Sequence, residues 1–459
     1  MSIPLDTLTL PDYNNQQLNI RIMPMKRFQL GGVLVKSSPG GLIPKLTGPA
    51  RYRGTKRIGR APSAADQVGW HREPTLLVPI RDEGRLFIFL QTEGEVENMN
   101  RVYNFYPGPA ALPLEVLELG QQAFVEYGGQ GMSLLEMSHR SEPVEKLVEE
   151  TEKLLLEIIG LRSGYEVLFM GGGASAQFAL VPMNFLAPGR VGRYVLSGSF
   201  SEKAYQEART VGQAEILASG KAEKWARLPD LSRLAVGPDT AYVHVTTNNT
   251  IEGSQWKDIP DTGDIPLIGD MTSDILSRSL DWTKFAMFYA GAQKNLGPAG
   301  VTAVVVRSDL LTAGNEKIPT IFQYASYAKN KSLYNTPPVH SIYMMKLMLE
   351  WVVRQGGIAE LEKRNEEKAA LLYEAIDTSG GFFRGIVEEP FRSRMNVTWR
   401  MKDEELEKKF ALESTQYGLI GLAGHRSVGG LRASIYNAVP VEACRALANY
   451  MRDFAKRHG

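Results

Sequence analysis

The chain has 459 residues, 43% hydrophobic and 22% charged, which is the composition of a folded globular protein too long for one small core. A formal net charge of +1 provides no global field for nucleic acid or an anionic membrane, so specificity must come from local sites. A single cysteine, Cys444, excludes a disulfide framework or thiolate metal cluster, and no apolar run approaches the ~20 residues that span a bilayer, so a cytoplasmic protein is expected.

Residues 1–98 stand apart, with 13 Lys and Arg against 9 Asp and Glu and no sustained periodicity. The stretch RYRGTKRIGR, at residues 51–60, reads as a solvated arm more readily than as a partner-binding tail. A further expectation is that this extension is not part of the natural protein. Met99 directly precedes what reads as a first strand, and Glu-Gly-Glu-Val-Glu upstream can be encoded by the purine-rich run of a ribosome-binding site.

From residue 100 the pattern becomes regular. Pro113 to Tyr127 predicts a helix with Leu114, Leu117, Phe124 and Tyr127 at helical intervals, and PVEKLVEETEKLLLEIIG predicts a second, capped by Gly160. The second carries Val144, Leu147, Val148, Leu154, Leu155 and Ile158 on one stripe. Short apolar runs then alternate with helical segments: YEVLFM, RYVLSG, AYVHVTT, IPLIGD, FAMFYAG and VTAVVV. Such runs, bounded by Gly and Pro, predict a mainly parallel sheet covered on both faces, hence a large α/β domain over residues 99–335. Past Pro337 and Pro338, long helices and two strand-like pieces predict a small C-terminal α+β domain over residues 336–459.

Three places carry candidate chemistry. In FAMFYAGAQKNLGPAG, Lys294 follows an apolar run in a turn of small residues, where partial desolvation lowers an amine's pKa and frees it as a nucleophile. Asp270 ends IPLIGD, a spacing that suits the neighbouring strand and the same C-terminal sheet edge; taken alone it would read better as a helix N-cap. YEVLFMGGGASAQF runs from strand through glycines to helix, a start that offers free N–H groups to a phosphate, although a triple glycine by itself could mark only a turn.

Together with NFYPGPAALP, EMSHR, NNTIEG, YNTPP and GHRSVGGLRASIYNA, these motifs make the chain from Val102 onward resemble the phosphoserine aminotransferases. These are class V members of the fold type I pyridoxal-phosphate enzymes, whose large domain holds a seven-stranded sheet. The resemblance implies pyridoxal 5'-phosphate as cofactor, Lys294 as its Schiff-base lysine and Asp270 paired with the pyridine nitrogen. It implies further that Ala174 and Ser175 hold the cofactor phosphate with Gln293 nearby, and that Thr250 bonds the ring's 3-hydroxyl. Asn335 and Thr336 would reach the phosphate from the neighbouring subunit of a homodimer. Phe200 stands where many members have a stacking tryptophan, and Pro107 where some have a hydroxyl residue. Arg432 would clamp the substrate α-carboxylate, with His139, Arg140, His425 and Arg426 round a substrate phosphate.

The implied reaction is a ping-pong transfer of an amino group from L-glutamate to 3-phosphohydroxypyruvate, giving O-phospho-L-serine and 2-oxoglutarate for serine biosynthesis. Action on the phosphorylated threonine derivative of pyridoxine biosynthesis is also open. The rival readings are an alanine-glyoxylate type transaminase of class V, a cysteine desulfurase, for which Cys444 in a helical pattern is poorly suited, and a non-catalytic regulator. For the extension, the intact mass of protein expressed from its own upstream DNA is expected to match residues 99–459, and a mass matching residues 1–459 removes the idea.

Overall fold

The computed structural model describes residues 101–231 and 236–459. The expectations for the extension 1–98, including RYRGTKRIGR, lie outside these residues.

The dominant element is a seven-stranded sheet. In chain order its strands are β1 (Tyr165–Met170), β2 (Val191–Leu196), β3 (Ala214–Ser219), β4 (Thr240–Thr246), β5 (Leu267–Asp270), β6 (Met287–Gly291) and β7 (Thr302–Arg307). They lie in the order β1-β7-β6-β5-β4-β2-β3, and only β7 runs antiparallel to its neighbours. The six apolar runs became strands because both faces of the sheet are covered, so each side chain along them gains from burial. β3 was not predicted. It is an edge strand whose residues, unlike those of β1 at the other edge, are all half-buried or exposed, and AEILAS therefore lacks a continuous apolar run.

Helix α1 (Leu114–Val125) forms as the periodicity predicts but turns the other way. Its buried face is Val116, Gly120 and Ala123, while Leu117, Phe124 and Val125 are exposed. Gly120 sets this choice, because a Cβ there would lie 2.5 Å from Met344 Sδ, so the small-residue face is the one that can approach its neighbour. Helix α2 (Glu142–Ile159) is capped by Gly160 at φ +75°, and its buried stripe centres on Val144, Leu147, Val148, Thr151, Leu155 and Ile159. Leu154 and Ile158 flank that stripe, half-buried. Helices α3 (Gly173–Phe185) and α4 (Ser199–Val211) each start where a strand of the sheet has just ended.

Beyond these, α5 (Val339–Arg354) packs into the same core as the large sheet through Ile342, Met345, Met348 and Val352. Helix α6 (Gly357–Asp377) leads to a second, antiparallel sheet of β8 (Arg384–Gly385), β9 (Asn396–Arg400) and β10 (Leu431–Ser434). Helix α7 (Glu404–Ser414) lies between β9 and β10, and α8 (Val441–His458) ends the chain. The second core joins α6 and α8 to this sheet around Trp399, Phe410 and Phe454. Cys444 lies within it, and burial pushes its thiol up to about 12, the behaviour of a packing residue rather than a nucleophile. Asn295 Oδ1 accepts from the Asn437 backbone N–H at 3.0 Å, tying the segment after β10 to the turn that carries Lys294.

Candidate active site

Strands β4, β5 and β6 are parallel and in register, with Thr246 opposite Asp270 and Asp270 opposite Tyr289. Parallel strands bring their carboxyl ends to one edge, where backbone groups are free to meet a ligand. A cavity of about 370 Å³ opens there. It is lined by Asp270 from the end of β5, by Gln293 and Lys294 from the turn after β6, and by Thr250 from the loop after β4. Ala174 and Ser175 line it from the start of α3, Phe200 from the start of α4, and His425 and Arg432 from the polypeptide around β10.

Lys294 is placed by its backbone. Ala292 donates to Val301 O at 2.9 Å, Gly297 returns to Ala292 O at 2.9 Å, and Ala110 donates to Gln293 O at 2.9 Å. The facing segment must be glycine: Gly108 has φ +137°, and a Cβ there would lie 3.3 Å from Lys294 Cγ. Burial pushes the Lys294 ammonium down to about 8, against the opposing pull of Asp270. Asp270 is 5% exposed, and burial pushes its carboxyl up, opposed by hydrogen bonds from Thr272 and by the charge of Lys294. The Thr272 N–H donates to Asp270 Oδ1 at 3.0 Å, and the Thr272 hydroxyl accepts from Gly291 N at 3.3 Å, so one residue braces both strand ends.

Arg432 is 5% exposed, and burial pushes its guanidinium down. Its Nη1 donates to Thr250 O at 2.7 Å while Nε, although buried, has no partner. That leaves the Nε and Nη2 side of the fork for an anion. At His425, Nδ1 accepts from the Ser427 backbone N–H at 3.2 Å, so the neutral ring carries its proton on Nε2. Burial, then Arg432, Lys203 and Arg426, push the His425 pKa down and favour that neutral donor. Phe200 is half-buried, and Lys294 Nζ lies 5.6 Å from its ring centroid.

The remaining sequence-predicted residues lie elsewhere. Arg426 is exposed beside His425, outside the cavity lining. His139, Arg140, Asn335 and Thr336 do not line the cavity of their own chain. They sit together instead, with His139 Nδ1 3.2 Å from Thr336 Oγ1 and a buried, unpartnered His139 Nε2.

Sequence reasoning passed over Thr272 and Asp274. Asp274 is 2% exposed, accepts from Thr247 Oγ1 and Gln255 Nε2, and lies 3.8 Å from Arg278 Nη2. The second acid of GDMTSD, four residues before an arginine, was the available signal. Tyr289, whose hydroxyl pairs with His244 Nε2 at 2.9 Å, was absorbed into an apolar strand run and left none.

Comparison with known proteins gives this geometry its relatives. The family described as aminotransferase class V matches residues 102–447. The chain belongs to that family. Phosphoserine aminotransferase of Niallia circulans is 52% identical over 359 residues, covering 78% of this chain and 99% of the relative. The solved phosphoserine aminotransferase from Bacillus circulans subsp. alkalophilus has a TM-score of 0.77 at 52% identity, over 78% of this chain and 99% of that one. The pyridoxal-phosphate-bound enzyme from Trichomonas vaginalis has a TM-score of 0.73 at 36% identity, over 77% and 100%.

The cavity of this class V aminotransferase has the donors a pyridoxal phosphate would need. Gly172, at φ +87°, lets the chain turn into α3, whose first N–H groups lack intrahelical partners and suit a phosphate. A Cβ on Gly172 would come 2.5 Å from that of Ala176. Thr246 Oγ1 is buried without a partner on the strand beside Asp270, so polar demand remains on the cavity side of the sheet.

A depressed Lys294 has a defined pH signature. The folded protein holds fewer protons than the unfolded chain between about pH 8 and the ordinary 10.5, so this group makes folding more favourable as pH rises through that window. Reductive methylation of cofactor-free protein, mapped by peptide mass, is expected to modify Lys294 with a midpoint near pH 8. A midpoint at the ordinary lysine value contradicts the burial argument.

Proposed function

We propose that this protein is a phosphoserine transaminase, passing an amino group between L-glutamate and 3-phosphohydroxypyruvate to form O-phospho-L-serine and 2-oxoglutarate. The observation that carries the reading is one cavity lined by Lys294 and Asp270 and also by two separate groups able to meet an anion, Arg432 and His425. An amino acid with a single carboxylate needs only one such group.

Bound pyridoxal 5'-phosphate supplies an electron sink for the charge that develops when the substrate's α-proton leaves. The rest belongs to the chain. Ala174 and Ser175 at the α3 N-terminus, with Gln293, hold the cofactor phosphate, and Thr250 meets the ring hydroxyl. The Asp270 carboxylate would keep the pyridine nitrogen protonated, and Phe200 would offer a flat apolar face for stacking. The free Nε and Nη2 of Arg432 receive the α-carboxylate, which orients the α-hydrogen relative to Lys294. Lys294 Nζ, neutral above about pH 8, is the base that takes that proton and returns it one position along.

The distal phosphate falls to His425 Nε2–H and Arg426, with His139 and Arg140 arriving from a second subunit. The His139–Thr336 contact supports this, because it makes His139 travel with Asn335 and Thr336 rather than with its own chain's cavity. In a homodimer with shared sites, the exposed Val125 and Leu135, 76% and 59% accessible, would have a surface to bury against. No described helix is long and apolar enough to cross a membrane, and we place the enzyme in the cytoplasm.

The half-reaction of the cofactor-loaded enzyme, followed at the cofactor's absorbance, is expected to favour O-phosphoserine over serine and alanine by at least about 100-fold. Equal use of alanine would move the assignment to an alanine-glyoxylate type transaminase. Lys294→Ala is expected to abolish steady-state turnover with every donor.

A further inference from the structure

His425 and Arg426 sit on a ten-residue loop, 421–430, that enters β10. The loop closes on itself: Gly424 N donates to Gly430 O at 2.9 Å, and Gly429 N to His425 O at 2.8 Å. Such a closure fixes the loop's shape without fixing its height over the cavity. Arg432 N also donates to Leu422 O at 2.8 Å, and a further pair of residues, outside the cavity lining, holds the loop from the other side of its closure.

Glu407, in the first turn of α7, is 4% exposed. Its Oε2 accepts from Gly430 N at 3.1 Å, and its Oε1 accepts from Met401 N at 3.0 Å. Arg400, the last residue of β9, reaches the same Oε1 through Nε at 2.9 Å and donates from Nη1 to Val428 O at 2.6 Å. Its side chain lies against two glycines in the left-handed region: a Cβ on Gly429 would come 3.0 Å from Arg400 Nη1, and one on Gly430 would come 2.9 Å from Arg400 Cδ. A buried carboxylate is costly unless its lone pairs are filled, and here three donors converge on it, one of them from the loop. The loop is thus held at a carbonyl and at an N–H by one ion pair, which itself is anchored to β9 and α7.

We propose that Arg400 and Glu407 are positioning residues for distal-anion recognition, holding the loop at the height from which His425 and Arg426 meet a substrate phosphate. The proposal rests on the functional reading above, and it adds a specificity determinant that touches neither substrate nor cofactor. Releasing the pair leaves Lys294, Asp270 and Arg432 in place, because these are braced by Thr272, Asn295 and Thr250 instead. The loss therefore falls on phosphate affinity and spares the chemical step.

The test uses cofactor-loaded Arg400→Ala, in which Glu407 keeps its two backbone donors, alongside Arg400→Lys and Glu407→Gln. For Arg400→Ala the concentration of O-phosphoserine at half-maximal half-reaction rate, and the inhibition constant of inorganic phosphate, are expected to rise about tenfold, the weight of one hydrogen bond to a charged group. The limiting rate, and the half-reaction with alanine, which has no distal anion, are expected to stay within about twofold. Arg400→Lys keeps the charge beside Glu407 and is expected to fall between. Equal losses with alanine and O-phosphoserine, or an unchanged phosphate constant, overturn the proposal. Should Glu407→Gln fail to fold, the two Arg400 variants decide. Failure of the functional reading shows separately, as an unsubstituted enzyme that does not prefer O-phosphoserine to alanine.

Discussion

The structure is organised round a half-buried amine beside a buried carboxylate at the edge of parallel strands. Burial drives the Lys294 ammonium down to about 8 and the Asp270 carboxyl up, while each group's charge opposes the other's shift. Such a pair can persist in a folded protein only if the backbone around it leaves neither group room to escape. The in-register row Thr246, Asp270 and Tyr289, the Thr272 brace between β5 and β6, and the closed turn after Gly291 supply that constraint. The apolar strands behind them make it stiff, since packed interiors resist local displacement.

Recognition follows a different logic from the floor of the site. Arg432 spends one nitrogen on Thr250 O and leaves its buried Nε unpartnered, so that under the proposed function an anion would complete the set of hydrogen bonds. His425 is set as a neutral donor by the Ser427 N–H. A neutral donor at the distal end costs less to desolvate than a second buried cation would, and Arg426 keeps its charge at the exposed rim. The two anion points thus differ in kind, one a buried cation, the other a neutral donor beside a cation at the exposed rim.

How much of this could be read in advance depended on range in sequence. Well-buried strands, the edge strand β1 among them, were legible because burial writes a continuous apolar run, whereas the exposed edge strand β3 carries none. The helix at Leu114–Val125 was legible in extent but not in orientation, since Gly120 packing on Met344 cannot be inferred from apolar spacing alone. Lys294, Asp270, Arg432 and His425 came from local motifs, and the cavity gathers all four. Thr272, Asp274, Arg400 and Glu407 escaped because what they do is defined by partners on other elements. His139 was named from its motif, but its contact with Thr336, 197 positions away, was not legible for the same reason.

The most direct test of the account is borohydride reduction of the cofactor-loaded protein followed by peptide mapping. The account predicts that the cofactor becomes irreversibly attached to the peptide containing Gly291–Gly297, at Lys294. Cofactor that washes away after reduction, or that is found on any other residue, would contradict it.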